Sequence, residues 1–194
     1  MRRGPCARLI SFLIPTSARF MWWPRNSGRQ NLSPEMSDHQ PHFWSDIPDH
    51  AEAVMQLFLD TYGSERAGDA EFLKRLCMTS ACFGVVGYIK GDPAGFIMLQ
   101  QAGESADIIE ICVRPPVQNT GIGRQLLEQA LSCARARCLT KVLLEVAVTN
   151  QPALNLYRSA GFVLVVKRPH YYRRETGKID ALVMERSLNS ASEV

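Results

Sequence analysis

The stretch Ile111-Cys112-Val113-Arg114-Pro115-Pro116-Val117-Gln118-Asn119-Thr120-Gly121-Ile122-Gly123-Arg124 constrains this chain more than any other segment. An apolar strand runs into a proline-broken turn, and a Gly-x-Gly then opens an amphipathic helix. Such a turn aims several backbone N–H groups at one point. A helix N-terminus carries about half a positive charge together with unpaired donors, so an anion is held there without a lysine. The segment is neither a P-loop, which requires G-K-[ST], nor the longer dinucleotide fingerprint. Two readings of the glycines stay open: backbone approach to a di- or polyphosphate, or close packing at an ordinary strand–helix turn.

The surrounding pattern is regular from residue 48. Ala53, Val54, Leu57 and Phe58 recur at helical spacing within 49–61, and Phe72, Leu73 and Leu76 repeat it within 69–78. Strands are predicted at 82–89, 94–101 and 106–113, separated by Gly91-Asp92-Pro93 and Gly103-Glu104-Ser105 as in an antiparallel meander. A helix over about 122–138 shows Leu126, Leu127, Ala130 and Leu131 on one face. The run 141–148 reads as a buried strand, 151–160 as a short helix ended by Gly161, and 162–168 and 180–186 as closing strands. The order ααβββαβαββ predicts an α/β protein, with helices flanking a mixed, mostly antiparallel central sheet.

Composition excludes several classes. Six of the 22 basic residues and one of the 19 acidic residues fall in 1–35, so the rest carries 16 basic against 18 acidic residues. A body so near neutrality argues against a nucleic-acid surface. The six cysteines form no C-x-x-C pair and have no histidine cluster beside them, so no metal site is expected. Free thiols fit a reducing cytoplasm, with Cys82 and Cys112 as small core residues. No run of about 18 apolar residues exists that would span a membrane.

Residues 1–35, with Arg2, Arg3, Arg8, Arg19, Arg25 and Arg29 against Glu35, have no sustained periodicity. A weak signal-peptide core at Leu9–Pro15, an arginine-rich transit peptide and an over-extended reading frame starting truly at Met36 all compete. The last is favoured. Residues 1–35 are expected to be a disordered or non-native extension, and 36–190 a single domain.

Three further positions stand out. Glu145 interrupts an apolar strand, and alternation places it with Leu143 and Ala147, opposite Leu144 and Val146. A carboxylate there serves a cleft as a general base, or else is edge-exposed or paired. Thr149-Asn150-Gln151-Pro152 is a helix entry, in which Asn150 serves as a cap. Tyr157, beside Leu154 and Leu156, is either a packed core ring or a proton donor to a leaving group. His170-Tyr171-Tyr172-Arg173-Arg174, before the last strand, reads as a groove lining or an aromatic–basic surface turn.

Together these residues resemble the GNAT acyltransferases, which use acetyl-coenzyme A. The signature Q/R-x-x-G-x-G/A is matched by Gln118, Gly121 and Gly123. Leu144-Glu145-Val146, Asn150, Ala153, Leu156-Tyr157 and Gly161-Phe162 are similar to the L-E-V…N…A…L-Y…G-F run of RimI-type ribosomal-protein alanine N-acetyltransferases. Arg168, Tyr171-Tyr172, Asp180-Ala181 and Val183-Met184 follow that group's distal pattern, and the resemblance covers about 48–187.

The resemblance implies a GNAT fold whose central strands splay near 113 and 145 to admit the donor. It implies that backbone groups of Ile111, Cys112 and Val113 pair with the pantetheine arm. Gln118 belongs to the pyrophosphate motif, and Asn119, Thr120, Gly121, Ile122, Gly123 and Arg124 surround the pyrophosphate. Asn150 contacts the arm near its reactive end. Glu145 takes a proton from an α-ammonium, through water, and Tyr157 protonates the departing thiolate. The expected acceptor is the N-terminal alanine of a small-subunit ribosomal protein, modified by a cytoplasmic monomer or weak dimer that uses no metal and binds neither nucleic acid nor membrane. Another amine (a polyamine, a lysine or a small metabolite) and a non-catalytic coenzyme-A-binding module are the alternatives. The chain departs from the pattern at Asn119, where the family often has arginine, and at Ala147, where L-E-V-R has arginine. The family's P-W-[ST] is replaced by Asp60-Thr61-Tyr62-Gly63-Ser64-Glu65.

Overall fold

A computed structural model describes residues 41–45, 47–174 and 177–189, apart from the side chains of 172–174 and 177. The expectation for residues 1–35 lies outside these described residues. Apolar spacing forms α1 (Ala51–Tyr62) and α2 (Ala67–Cys77), which bury Val54, Leu57, Phe58, Leu73 and Leu76. Gly63, at φ 94°, ends α1, and its N–H closes on the Leu59 carbonyl at 2.8 Å.

The sheet has seven strands in the order β1-β2-β3-β4-β5-β7-β6. They are β1 (His42–Trp44), β2 (Cys82–Ile89), β3 (Asp92–Ala102), β4 (Ser105–Val113), β5 (Lys141–Ala147), β6 (Val163–Arg174) and β7 (Gly177–Ser187). Pairing is antiparallel except between β4 and β5, which are joined by the crossover helix α3 (Ile122–Ala136). The helix α4 (Gln151–Ser159) lies between β5 and β6. Three features differ from the expectation. The short β1 is added at the edge, β6 and β7 are longer than predicted, and 170–174 continue β6 rather than forming a turn.

Two apolar clusters sandwich the sheet. One joins α3 and α4 to Ile97, Leu99, Val142, Leu144 and Val146, and the other joins α1 and α2 to Val86, Phe96, Met98 and Cys112. Strand alternation thus turns Glu145 away from α3 and α4, as its buried neighbours Leu144 and Val146 require.

The ladder between β4 and β5 is short. Ser105, Ala106 and Asp107 pair with Lys141, Val142 and Leu143, and no rung follows, although the strands run on to Val113 and Ala147. Over the same length the other edge of β4 stays paired with β3, up to Gly95 opposite Val113. The splay inferred near 113 and 145 is therefore present. It leaves one edge of β4 open from Ile109 to Val113.

Candidate active site

The open edge of β4 leads into the turn that precedes α3. Gln118 braces this turn through a 2.9 Å bond from Nε2 to the Val113 carbonyl, and Thr120 Oγ1 donates to the Val117 carbonyl at 2.7 Å. Asn119 adopts φ 61° and Gly121 φ 94°, both left-handed, a region that Asn and Gly enter at low cost. Gly121 is the N-cap of α3, and among the described residues no side chain caps the helix. The first bond to the cap runs from Gln125 N to Gly121 O, so the N–H groups of Ile122, Gly123 and Arg124 precede the helical ladder.

The two readings of the glycines now separate. A Cβ at Gly123 would sit 3.7 Å from Leu156 Cδ2 and Val113 Cγ2, an ordinary contact distance. Packing therefore does not demand glycine there, and the backbone of this first helical turn stays uncovered by a side chain. Gly84 is the opposite case, since a Cβ there would stand 2.0 Å from the Ile97 carbonyl oxygen. Beside the cradle, the Nε of Arg114 is buried without a hydrogen-bond partner among the described residues.

The helix α4 closes one side. Arg124 Nη2 donates to Ser159 Oγ at 3.1 Å, tying the start of α3 to the end of α4. Asn150 Oδ1 accepts from Ala153 N at 3.3 Å and caps α4, as its position predicted. Tyr157 is 5% exposed, its ring 5.7 Å from Phe162 in the α3–α4 cluster. Glu145 lies on the other face of β5, so a reaction that uses both groups must run through the β4–β5 gap.

Glu145 is not isolated. Arg168 on β6 donates to its Oε1, and Tyr171 hydrogen-bonds to the same carboxylate. The Arg168 guanidinium lies 5.5 Å over the Tyr171 ring. A bulge in β6 makes this possible: pairing jumps from Arg168–Ala181 to Tyr172–Ile179, with His170 at φ 55°. Asp180 pins the bulge by accepting the His170 N–H at 2.8 Å and pairing with Lys167 at 2.9 Å. Those contacts hold the Asp180 carboxyl below its ordinary range, Lys167 first and the His170 amide next. Burial, then the charge of Glu145, raises Asp107 on the same face.

A second cluster escaped the sequence reading. Tyr62 Oη donates to Glu110 Oε1 at 3.3 Å, and the Arg66 guanidinium lies 4.5 Å and 4.9 Å over the rings of Phe58 and Tyr62. Burial pushes the Glu110 carboxyl up to about 7, with Arg66 and Tyr62 opposing the shift. Cys112 is shut beneath α1 against Thr61 Oγ1 at 3.3 Å, and burial drives its thiol far up. It is no nucleophile. Among the described residues no cluster of His, Cys, Asp and Glu suits a metal ion, and no helix is long and apolar enough to cross a membrane.

An open helix N-terminus, a strand edge stripped of its partner and a carboxylate on the gap define an acyltransferase-type site. A family model described as the Acetyltransferase (GNAT) family matches residues 51–162, and the chain belongs to that family. It is 35% identical over 94 residues to the [ribosomal protein bS18]-alanine N-acetyltransferase of Escherichia coli (strain K12), covering 48% of this chain and 64% of the relative. It is 42% identical over 86 residues to N-alpha-acetyltransferase RimI of Mycobacterium tuberculosis, covering 44% and 51%. The sequence matches thus span about half to two thirds of these relatives' length. The crystal structure of the ribosomal-protein-S18-alanine N-acetyltransferase from Escherichia coli superposes with a TM-score of 0.63 at 26% identity. That superposition covers 79% of this chain and 97% of that one.

The site fits the family's acyl donor, acetyl-CoA. The uncapped N-terminus of α3 offers N–H groups for a pyrophosphate, the bare Gly123 leaves room beside them, and the open edge of β4 offers peptide groups to an extended amide arm.

Proposed function

We propose that the protein transfers the acetyl group of acetyl-CoA to the N-terminal α-amine of a small-subunit ribosomal protein, with alanine as the receiving residue. One observation carries the transfer chemistry: the β4–β5 ladder stops at Asp107–Leu143, between an uncapped helix N-terminus and Glu145. The acceptor assignment is supported by the names of the relatives in Escherichia coli and Mycobacterium tuberculosis.

Bound acetyl-CoA supplies an activated thioester. Ile111, Cys112 and Val113 hold its amide arm by backbone pairing, and the 119–124 turn holds its pyrophosphate through N–H groups, with Gln118 bracing the turn. Asn150 caps α4 with Oδ1, leaving Nδ2 to donate to the arm. Glu145, oriented by Arg168 and Tyr171, accepts a proton from the incoming ammonium through water, because only the neutral amine is nucleophilic. Tyr157 gives its proton to the leaving thiolate. Holding amine and thioester together lowers the entropic part of the barrier.

The test is an acetylation assay with an alanine-starting peptide set against polyamines, free lysine and small amines. Acetyl incorporation at the peptide α-amine supports the reading. Activity confined to polyamines or small amines contradicts it.

A further inference from the structure

Glu110 takes no part in the chemistry above, yet the fold makes a specific provision for it. In β4, Glu110 pairs with Met98 and Ile108 pairs with Leu99, so Ile109 is an extra residue. Ile108 and Ile111 pack on the α3 side, whereas Ile109 and Cys112 pack against α1 and α2. Without the extra residue, strict alternation would put Glu110 beside Ile108, under α3. The bulge instead turns it to the face that carries Glu145 and Asp107.

Glu110 also lies beyond the last rung between β4 and β5, as Glu145 does, so the two carboxylates sit on opposite banks of one gap. Its donors, the Tyr62 hydroxyl and the Ile111 amide, are both uncharged. It joins no ion pair among the described residues, whereas Glu145 has Arg168 and Asp69 has Arg66. A partly buried carboxylate at the gap, hydrogen-bonded by neutral donors and favoured from beyond ion-pair distance by Arg66, which is itself bonded to Asp69, suits a further cation.

Building on the function proposed above, we propose that Glu110 binds the acceptor's α-ammonium and sets its position opposite Glu145, with Tyr62 as the positioning residue that orients the carboxylate. Glu110 governs acceptor binding, and Glu145 governs turnover.

The test compares wild type with Glu110→Gln, which keeps an acceptor for the Tyr62 hydroxyl, and with Glu110→Asp, which keeps the charge. Two unreactive peptides serve as inhibitors: one begins with α-N,N-dimethylalanine and is cationic, and the other begins with an isobutyryl group and is neutral. Glu110→Gln should raise the acceptor KM and the inhibition constant of the cationic peptide about tenfold, equivalent to about 1.4 kcal/mol. It should leave kcat, the acetyl-CoA KM and the neutral peptide within twofold. Glu110→Asp should recover part of the loss. Equal weakening of both peptides, or an unchanged KM, overturns the assignment of Glu110 while leaving the acetyltransferase reading intact. Wild type that acetylates no α-amine peptide overturns the acceptor reading itself. Thermal melting of each variant identifies loss of fold, in which case Tyr62→Phe takes the place of Glu110→Gln. The same contrast between cationic and neutral peptide then decides.

Discussion

The Arg168 guanidinium on β6 reaches across β7 to the Glu145 carboxylate on β5, and Tyr171 closes on the same carboxylate from the bulge that follows. The proposed base is thus oriented by an edge strand two positions away. Its geometry depends on how that strand is held.

Replacing the base isolates its role. Glu145→Gln should lower kcat by about 10²-fold, within the range usual for general-base loss, and leave acetyl-CoA affinity within twofold. Stopped-flow or steady-state kinetics with an alanine-starting peptide, beside calorimetric titration of acetyl-CoA, reads both quantities. A matching loss of cofactor affinity would move Glu145 into donor binding.

The bulge offers a remote handle on the same group. Asp180→Ala removes the acceptor of the His170 N–H and the partner of Lys167, so Tyr171 is no longer held over Glu145. Turnover should fall several-fold while acetyl-CoA binding is unchanged. Amide hydrogen exchange should rise at His170 and Tyr171 and not in β5.

The glycines separate packing from ligand approach. Gly123→Ala meets only ordinary contacts and removes a flexible residue from the first turn of a helix, so stability should stay level or rise by up to about 1 kcal/mol. The KM for acetyl-CoA should nevertheless increase about tenfold. Gly95→Ala should do the reverse, because its Cβ would meet the Cys112 carbonyl at 2.8 Å and Leu126 Cδ1 at 3.0 Å. Its melting temperature should fall by the equivalent of about 1–3 kcal/mol. Melting curves and cofactor kinetics on the two variants test the division.

Much of this was legible in the sequence because it is local. Periodicity located α1 to α4 and six of the seven strands, although β6 runs well beyond its expected end, and Gln118, Gly121 and Gly123 marked the turn before α3. The alternation in β5 put Glu145 on the correct face. Pairing register was not legible, since a bulge is decided by the partner strand. That hid the extra residue Ile109, and with it the face on which Glu110 lies. The same applies to 170–174, whose aromatic–basic composition reads as a groove lining or a surface turn; pairing with β7, anchored by Asp180, extends β6 through it by way of a bulge. The three-residue β1 is too short to show alternation at all.

Glu110 also leaves a signature in stability. Burial raises its carboxyl in the folded protein from an ordinary 4.5 to about 7, so the folded state prefers the protonated form. The contribution is fully present below the unfolded value and is lost as pH rises through the folded one. Tyr62 of α1, Arg66 in the turn before α2 and Asp69 of α2 are the titratable or charged groups that act on it from that side. Glu110→Gln, permanently uncharged, should therefore gain on wild type between about pH 4.5 and 7, by on the order of 2 kcal/mol. Denaturant unfolding at pH 5 and pH 8 measures the difference. A constant gap between the two proteins would contradict it.

Acetyl transfer to a peptide α-amine with Glu145 as base leaves a mass change on the acceptor. Intact-mass analysis of an alanine-starting ribosomal-protein peptide, incubated with acetyl-CoA and either wild type or Glu145→Gln, tests it most directly. One acetyl group on the α-amine with wild type is expected, strongly diminished with the variant, while both proteins bind acetyl-CoA equally. An unmodified α-amine with wild type, or undiminished acetylation by Glu145→Gln, would contradict the account.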